Sequence, residues 1–443
     1  MNDTMEAQRI LDDVPMTRLQ IAAVILCIAL NALDGFDVLA ISFAAPGIAA
    51  EWGISRGALG IVLAMELIGM TAGSVVLGNI ADNLGRRPII LGCLVVMASG
   101  MYLASQATSV NALLATRFVT GVGIGGMLAT TNAMVAEYSN ARHRNFNVVL
   151  MATGYPVGII IGGSLAAILL AHFDWRAVFV LGAVMTGTLL PAVWFLMPES
   201  ISYLAQKKKP DALAQINGIL TRMGHAVLEQ LPASEENNTG WRDLFSPQLA
   251  RTTILLTTAY LAHIITFYFI LKWIPNIVVD MEYSAASAGG ILVWANVGGA
   301  VGSILLGGLT HYFRLRSLII TALVGSIVMI NVFGMGQVNL TGLAIVAGIT
   351  GFFTNSVVVG LYALLAQSYP THLRAGGTGF VIGMGRAGAV LGPIIAGFLF
   401  EGEFSLTAVS FVMALGSLVA IFALMFLKEK NSDRLTTSMV AHD

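Results

Sequence analysis

Twelve apolar stretches of 18–27 residues follow one another along almost the whole of this chain. They fall near 19–45, 58–80, 88–106, 110–136, 146–171, 176–197, 251–275, 286–309, 317–336, 340–366, 376–400 and 405–427. About 20 apolar residues let a helix cross the hydrocarbon of a bilayer. Inside lipid every backbone amide must find its partner within its own segment, which makes runs of this length helices. Charged residues make up 11% of the chain, against about 25% in soluble domains. The expectation is an all-α membrane protein of twelve transmembrane helices, with the lipid bilayer as its surroundings and no nucleic-acid partner.

The segments outside these stretches set the orientation. The first eighteen residues are polar, with Asp3, Glu6, Asp12 and Asp13, and carry neither the basic region nor the cleavage site of a secretory signal. Cys27 and Cys93 both lie inside apolar stretches and read as packing residues, not as a disulfide framework. An even number of spans puts both termini on one side. Arg9, Arg18, Arg86, Arg87, Arg142 and Arg144 fall there, as do Arg314, Arg316, Arg374, Lys428, Lys430 and Arg434. Arg56 and Arg176 alone fall in connections on the other side. That asymmetry predicts cytoplasmic termini.

The chain also repeats itself. Gly78-Asn79-Ile80-Ala81-Asp82-Asn83-Leu84-Gly85-Arg86-Arg87 follows the second stretch, and a worn copy from Gly307 to Arg316 follows the eighth, 229 residues on. Gly154-Tyr155 and Gly385-Arg386 are 231 apart, as are Tyr138 and Tyr369, while Glu199 and Glu429 are 230 apart. One offset recurring at separate landmarks predicts two pseudo-symmetric six-helix bundles. The expected organisation is an N-terminal tail over 1–18, a first bundle over 19–197, a solvated cytoplasmic linker over 198–250, a second bundle over 251–427 and a C-terminal tail over 428–443. Two such halves place a binding site between them at mid-membrane. Glycines at spacing four, such as Gly154, Gly158 and Gly162, allow close helix approach.

Charged residues inside the spans are candidates for function by default. Asp34 and Asp37 stand in Asn31-Ala32-Leu33-Asp34-Gly35-Phe36-Asp37, within the first stretch. A carboxylate at the centre of a membrane helix costs about 2.5–3.5 kcal/mol on insertion scales. Residues three apart share one helix face, so this face must look into a polar cavity or meet a cation. A carboxyl group kept in a dry cavity has its pKa raised, which suits a proton carrier near neutral pH. The alternative is a structural hydrogen-bond site beside Gly35. Glu66, in the second stretch, is a third candidate for proton coupling. Arg117, in the fourth, is placed to pair with one of the aspartates and lower its pKa. Protons are the expected coupling ion, with no cofactor and no metal. The seven histidines are scattered, no metal-ligand cluster stands out, and no glycine-rich phosphate loop follows a strand, so an enzyme is not expected.

Several motifs then narrow the reading. Gly78 to Arg87 resembles the signature loop of the major facilitator superfamily, with Asn83 in place of its usual basic residue. Arg117-Phe118-Val119-Thr120-Gly121-Val122-Gly123-Ile124-Gly125-Gly126 resembles that superfamily's fourth-span motif, and Pro198-Glu199-Ser200 the motif closing its first half. Asp34-Gly35-Phe36-Asp37, with Gly383-Met384-Gly385-Arg386-Ala387-Gly388, resembles the aromatic acid:proton symporter family. Glu137-Tyr138 and Tyr369-Pro370 with Arg374 fit as well. The resemblance implies the major facilitator fold, a bacterial cytoplasmic membrane and import of a small aromatic carboxylate, such as a hydroxylated benzoate, by alternating access. A monomer is expected. The alternatives are a symporter of a ring-cleavage carboxylate or a proton-linked exporter of a small organic anion. The exporter reading is weakened by Gly154-Tyr155-Pro156 in the fifth span, where superfamily exporters usually carry Gly-Pro.

The remaining residues follow from a carboxylate cargo. Arg386 offers a planar fork suited to it. Lys272 either snorkels to the outer interface or supplies a second anion contact at the cavity mouth. Tyr155, Trp294 and Asn296 are candidates to flank an aromatic ring, each with core packing as the alternative. His263 joins them as a candidate, with core hydrogen bonding as its plainer reading. Glu137, Asp82, Arg86, Arg87, Arg142, Arg144 and Arg374 are expected to form an inner gate, paired while the protein opens outward and parted when it opens inward.

Overall fold

The computed structural model describes residues 14–207, 211–228, 230, 244–336, 339–370 and 373–427, without the side chains of 79, 82, 145, 206, 207, 374 and 375. Six long helices form the first half: α1 (Arg18–Trp52), α2 (Arg56–Leu84), α3 (Arg86–Ser105), α4 (Val110–Tyr138), α5 (Arg144–Leu170) and α6 (Arg176–Leu196). Two short helices follow in the linker, α7 (Ile201–Lys207) and α8 (Ala212–Met223). The second half comprises α9 (Ala250–Asp280), α10 (Ala285–Leu309), α11 (Leu315–Gly334), α12 (Leu340–Ser368), α13 (Arg374–Glu401) and α14 (Leu406–Met425). The twelve long helices are each apolar and long enough to cross a membrane.

The two halves repeat the same packing. α1 lies on α5, α2 on α4, and α3 on α4 and α6; correspondingly α9 lies on α13, α10 on α12, and α11 on α12 and α14. Glycines make the closest of these seams. A Cβ on Gly158 would stand 1.7 Å from the Ala32 carbonyl oxygen, and one on Gly35 would stand 2.1 Å from the Tyr155 carbonyl oxygen. Gly35 therefore sits between the two aspartates because α1 and α5 touch there through their backbones. In the second half Gly388 and Gly392 meet the carbonyls of Leu261 and Ile265 on α9 in the same way. Gly69 and Gly73 press on α4, and Gly298 and Gly302, the positions 229 residues on, press on α12.

Helix ends show the repeat too. Ser55, Ser109, Ser284, Asn339 and Ser405 cap α2, α4, α10, α12 and α14, each accepting a backbone N–H three residues ahead. All five caps lie on the face opposite the linker. On the linker face, α2 and α3 are joined by the single residue Gly85, at φ 106°, a conformation that only glycine adopts readily. There Oε1 of Glu199 accepts the backbone N–H groups of Arg86 (2.9 Å), Arg87 (3.1 Å) and Ser200 (2.8 Å). The carboxylate thereby satisfies the open amide end of α3 and meets its dipole. Replacing Glu199 with Ala is expected to cost about 1–2 kcal/mol, read as a lowered thermal midpoint of the purified protein.

The linker is not the wholly solvated segment expected from sequence. Ala212, Ile216, Leu220 and Met223 of α8 are buried along one face, and α8 packs against α1. Beyond it, His225 Nε2 lies 3.1 Å from Gln20 Oε1 at the base of α1. Burial lowers the pKa of His225 below its ordinary value, so this contact is made with a neutral ring at neutral pH. The run Lys207-Lys208-Lys209 and the acidic stretch Ser234 to Asn238 lie outside the described residues or side chains.

The halves meet along three seams, α2 with α13, α5 with α10, and α1 with α9. The contacts lie toward the face opposite the linker. Gly60 abuts Pro393 and Gly397, Gly289 abuts Ala167 and Phe43, and Arg56 bonds Asp280 at 2.6 Å. Toward the linker face the same helices part. Val75 on α2 and Ile304 on α10 are 62% and 72% exposed, and a Cβ on Gly379 or Gly383 of α13 would meet open space. The molecule is closed on the capped face and open on the face that carries the linker.

Candidate transport site

Two groups of polar side chains lie in the interior. The first belongs mainly to the N-terminal half. Arg117 of α4 is completely buried. Its Nη2 forms an ion pair with Glu66 Oε1 on α2 and donates to the backbone oxygen of Asp37 at 3.0 Å. Nη1 lies 2.9 Å from Met101 Sδ, and the guanidinium carbon stands 5.3 Å from the centre of the Phe179 ring. Lys272, from α9 of the other half, reaches into this group. Its Nζ donates to the Val38 carbonyl and lies 4.0 Å from Glu66 Oε2. Asp34 and Asp37 are buried beside them. Among the described residues, neither carboxyl has a hydrogen bond of good geometry. Asp37 faces Gly182 and Thr186 of α6, and the Thr186 hydroxyl already donates to the Gly182 carbonyl at 2.8 Å. Three carboxyl groups thus share one dry region with two cations. Isolated buried ions are costly, and such a group can take up or release a proton as a unit.

The arrangement corrects several expectations. Arg117 pairs with Glu66 and touches Asp37 through the backbone only. The aspartate pair looks neither into an open cavity nor at a cation of its own. Lys272 neither snorkels nor stands at a cavity mouth, because α9 continues to Asp280 and holds it inside. Glu66 is an ion-paired member of the cluster, shared between a cation of its own half and one of the other.

The second group lies where the halves part. Arg386 on α13 is half-buried, and its Nη1 donates to the Met70 carbonyl on α2 at 2.9 Å. Beside it the edge of the Tyr260 ring abuts Gly385, where any Cβ would clash at 2.1 Å. The hydroxyls of Tyr260 and Tyr362 are 3.1 Å apart. Tyr155 on α5 and Tyr268 on α9 are neighbours across the two halves. The Arg386 charge acts on both Tyr260 and Tyr268. This is a cation beside Tyr260 and Tyr268 where the cleft opens, with Tyr362 against Tyr260 and Tyr155 against Tyr268. Such a set can hold a planar anion: the guanidinium takes the carboxylate, the rings take the faces and the hydroxyls take polar substituents.

Tyr155 neighbours Tyr268 and not Arg386 itself, and Tyr260, Tyr268 and Tyr362 were missed. A lone tyrosine in an apolar helix reads as packing. The available signal was that Gly385 makes room for a ring next to a charge. Asn296 is buried but donates to Leu292 of its own helix. Trp294 does not flank the site. It is 56% exposed, on the helix stripe shared by Gly290 and Val301. His263 sits in the core of the second half, its ring nitrogens 3.0 Å from Ser417 Oγ and 2.9 Å from the Thr354 carbonyl, which is its plainer reading.

The expected inner gate is also placed differently. Arg86 pairs with Glu137 at 3.0 Å, and Glu137 accepts from Ser200 and Ser202 of the linker. Arg87 donates to the Trp194 carbonyl, and Arg144 to those of Ala136 and Ser139. All of these are bonds within the first half and its linker, and they stand while the linker face is open. Arg142 is exposed. The side chains of Asp82 and Arg374 lie outside those described.

A twelve-helix membrane protein in two equivalent halves, with a polar site at their junction and an opening on one face, is built as a transporter. The family model described as Major Facilitator Superfamily matches residues 27–335 and 273–441, and the chain belongs to that superfamily. It is a multi-pass membrane protein and a transporter, not an enzyme. It is 30% identical over 452 residues to the 4-hydroxybenzoate transporter PcaK of Acinetobacter baylyi, covering 99% of this chain and 95% of that one. It is 29% identical over 426 residues to the gallate transporter of Pseudomonas putida, covering 94% and 93%. The 3-(3-hydroxy-phenyl)propionate transporter of Escherichia coli is 27% identical over 408 residues, covering 92% and 94%.

Proposed function

We propose that the chain imports a small aromatic carboxylate together with protons across the bacterial inner membrane, with both termini in the cytoplasm. The observation that carries this reading is Arg386 beside the tyrosines Tyr260, Tyr268 and Tyr362 at the junction of the halves, open toward the linker face. Three relatives named for hydroxylated aromatic acids, similar over nearly their full length, support the cargo class. The basic residues on the linker side support the orientation, so the conformation described is the inward-open one. The buried trio Asp34, Asp37 and Glu66, with two cations, supplies groups able to carry the coupling proton. No cofactor is required, and a monomer contains the complete site.

Import follows from these parts. In the outward-open state an aromatic acid enters and docks on Arg386, and a proton joins the carboxyl cluster. The halves then close on the outer face, giving the arrangement seen, and both are released inward. One proton moving with a monoanion transfers no net charge, so the pH difference drives uptake, at about 1.4 kcal/mol per unit. The test is uptake of labelled 4-hydroxybenzoate, gallate and benzoate into vesicles, with an imposed pH gradient and with a protonophore. At least one acid should accumulate, and the protonophore should abolish accumulation. Asp37→Asn should abolish it as well while leaving the protein folded. Accumulation by that variant equal to the parent would remove Asp37 from coupling, and uptake indifferent to the protonophore would remove proton symport.

A further inference from the structure

Lys272 is the one cation of the buried cluster that belongs to the opposite half. Arg117 and the three carboxyl groups ride on α1, α2 and α4. Lys272 enters from α9, completely buried, and its bonds to Val38 and Glu66 cross the junction. On the same closed face Arg56 and Asp280 also bridge the halves, but both are exposed, and exposed pairs contribute little. A buried cation cannot leave a carboxylate without consequence. When the closed face opens, α9 moves with its half, and Lys272 leaves the cluster. Glu66 then shares Arg117 with Asp34 and Asp37 in a dry region.

We propose that Lys272 is the residue that ties proton binding to the closure of the outer face. With Lys272 inserted, its charge offsets a carboxylate and the cluster gives up a proton. With Lys272 withdrawn, the cluster takes a proton from the outer solution in its place. The exchange is one positive charge for another: a carboxylate oxygen binds H⁺ as the ammonium departs and releases it when the ammonium returns. The charged groups facing Lys272 are Glu66 from α2 and Arg117 from α4, with Asp34 and Asp37 from α1 beside those two. Of the cations among these neighbours, Arg117 stays with the carboxyl groups through the motion. A proton shifts a two-state equilibrium only by its unequal affinity for the two states, and Lys272 supplies that inequality. This assignment rests on the proton-coupled reading above.

The experiment measures closure without any substrate. In a background with Cys27→Ala and Cys93→Ala, the substitutions Arg56→Cys and Asp280→Cys place two thiols across the closed outer face. A short bis-maleimide reports how often that face is shut. Lowering the pH from about 8 to about 5.5 should reduce cross-linking about fivefold or more in this parent. Adding Lys272→Gln should make the yield flat with pH, and Lys272→Arg should restore its slope. The double change Glu66→Gln with Lys272→Gln removes one buried charge of each sign and leaves Arg117 with Asp37 as its nearest carboxyl group; its yield should also be flat, which provides the answer should the single variant not fold. An unaltered pH slope in either glutamine variant overturns the assignment. A flat parent whose uptake is nevertheless driven by a pH gradient overturns it too. A flat parent that also lacks gradient-driven uptake sinks the proton-coupled reading beneath it.

Discussion

Arg117→Met is expected to destabilise the protein by about 3–5 kcal/mol, the largest effect of any single change proposed for this molecule. The guanidinium is fully buried, holds Glu66 and ties down the backbone oxygen of Asp37. Methionine has a similar length and packs against Met101 and Phe179, so lost volume is a small part of the cost. The large part is Glu66, left with Lys272 at 4.0 Å as its remaining cation. The signature that separates charge from packing is partial rescue. Combining Arg117→Met with Glu66→Gln should recover part of the stability, since the under-compensated carboxylate is gone while Lys272 keeps the Val38 carbonyl. Thermal unfolding in detergent, followed by a fluorescent thiol probe of the buried cysteines, measures both. Equal loss in the single and double variants would mean that the guanidinium acts by packing.

Arg386→Ala is expected to weaken binding of the aromatic acid about 10- to 150-fold, the equivalent of a charged hydrogen bond of about 1.5–3 kcal/mol. Stability should change little, because the side chain is half-buried at the cleft and its described bond is to one carbonyl. Arg386→Lys should recover part of the affinity, since a point charge remains while the planar fork is gone. Titration calorimetry with the acid that the parent accumulates reads the difference. Equal affinity in parent and alanine variant would shift the anchor away from Arg386.

The fold was legible because its signals are local. Apolar length gives the spans, and the recurring offset gives the two halves. Even the close seams were present as glycines at spacing four. What sequence could not supply was rotation and depth. Arg117 can reach a carboxylate on α1 or on α2, and only the rotation of each helix chooses Glu66. Lys272 was misplaced because the apolar stretch fades near 275 whereas the helix runs on to Asp280. Lys272 is eight residues short of Asp280, about 12 Å along the axis, enough to turn an interfacial lysine into an interior one. Trp294 failed on the other coordinate, since one helix face looks much like another until its neighbours are known. The tyrosines beside Arg386 were hidden for a third reason: they come from α9 and α12, and no linear spacing joins them.

The bond from Arg386 to Met70 joins α2 and α13 close to where they diverge. Two rigid bodies that roll on a shared edge behave as a lever, with the edge as its fulcrum. Displacement is smallest there and grows toward the ends of helices as long as α1, with its 35 residues. Cargo seated at the fulcrum therefore needs to alter local spacing only slightly to swing the rims through a far larger arc. It also stays in nearly the same place while the door behind it shuts and the door ahead opens.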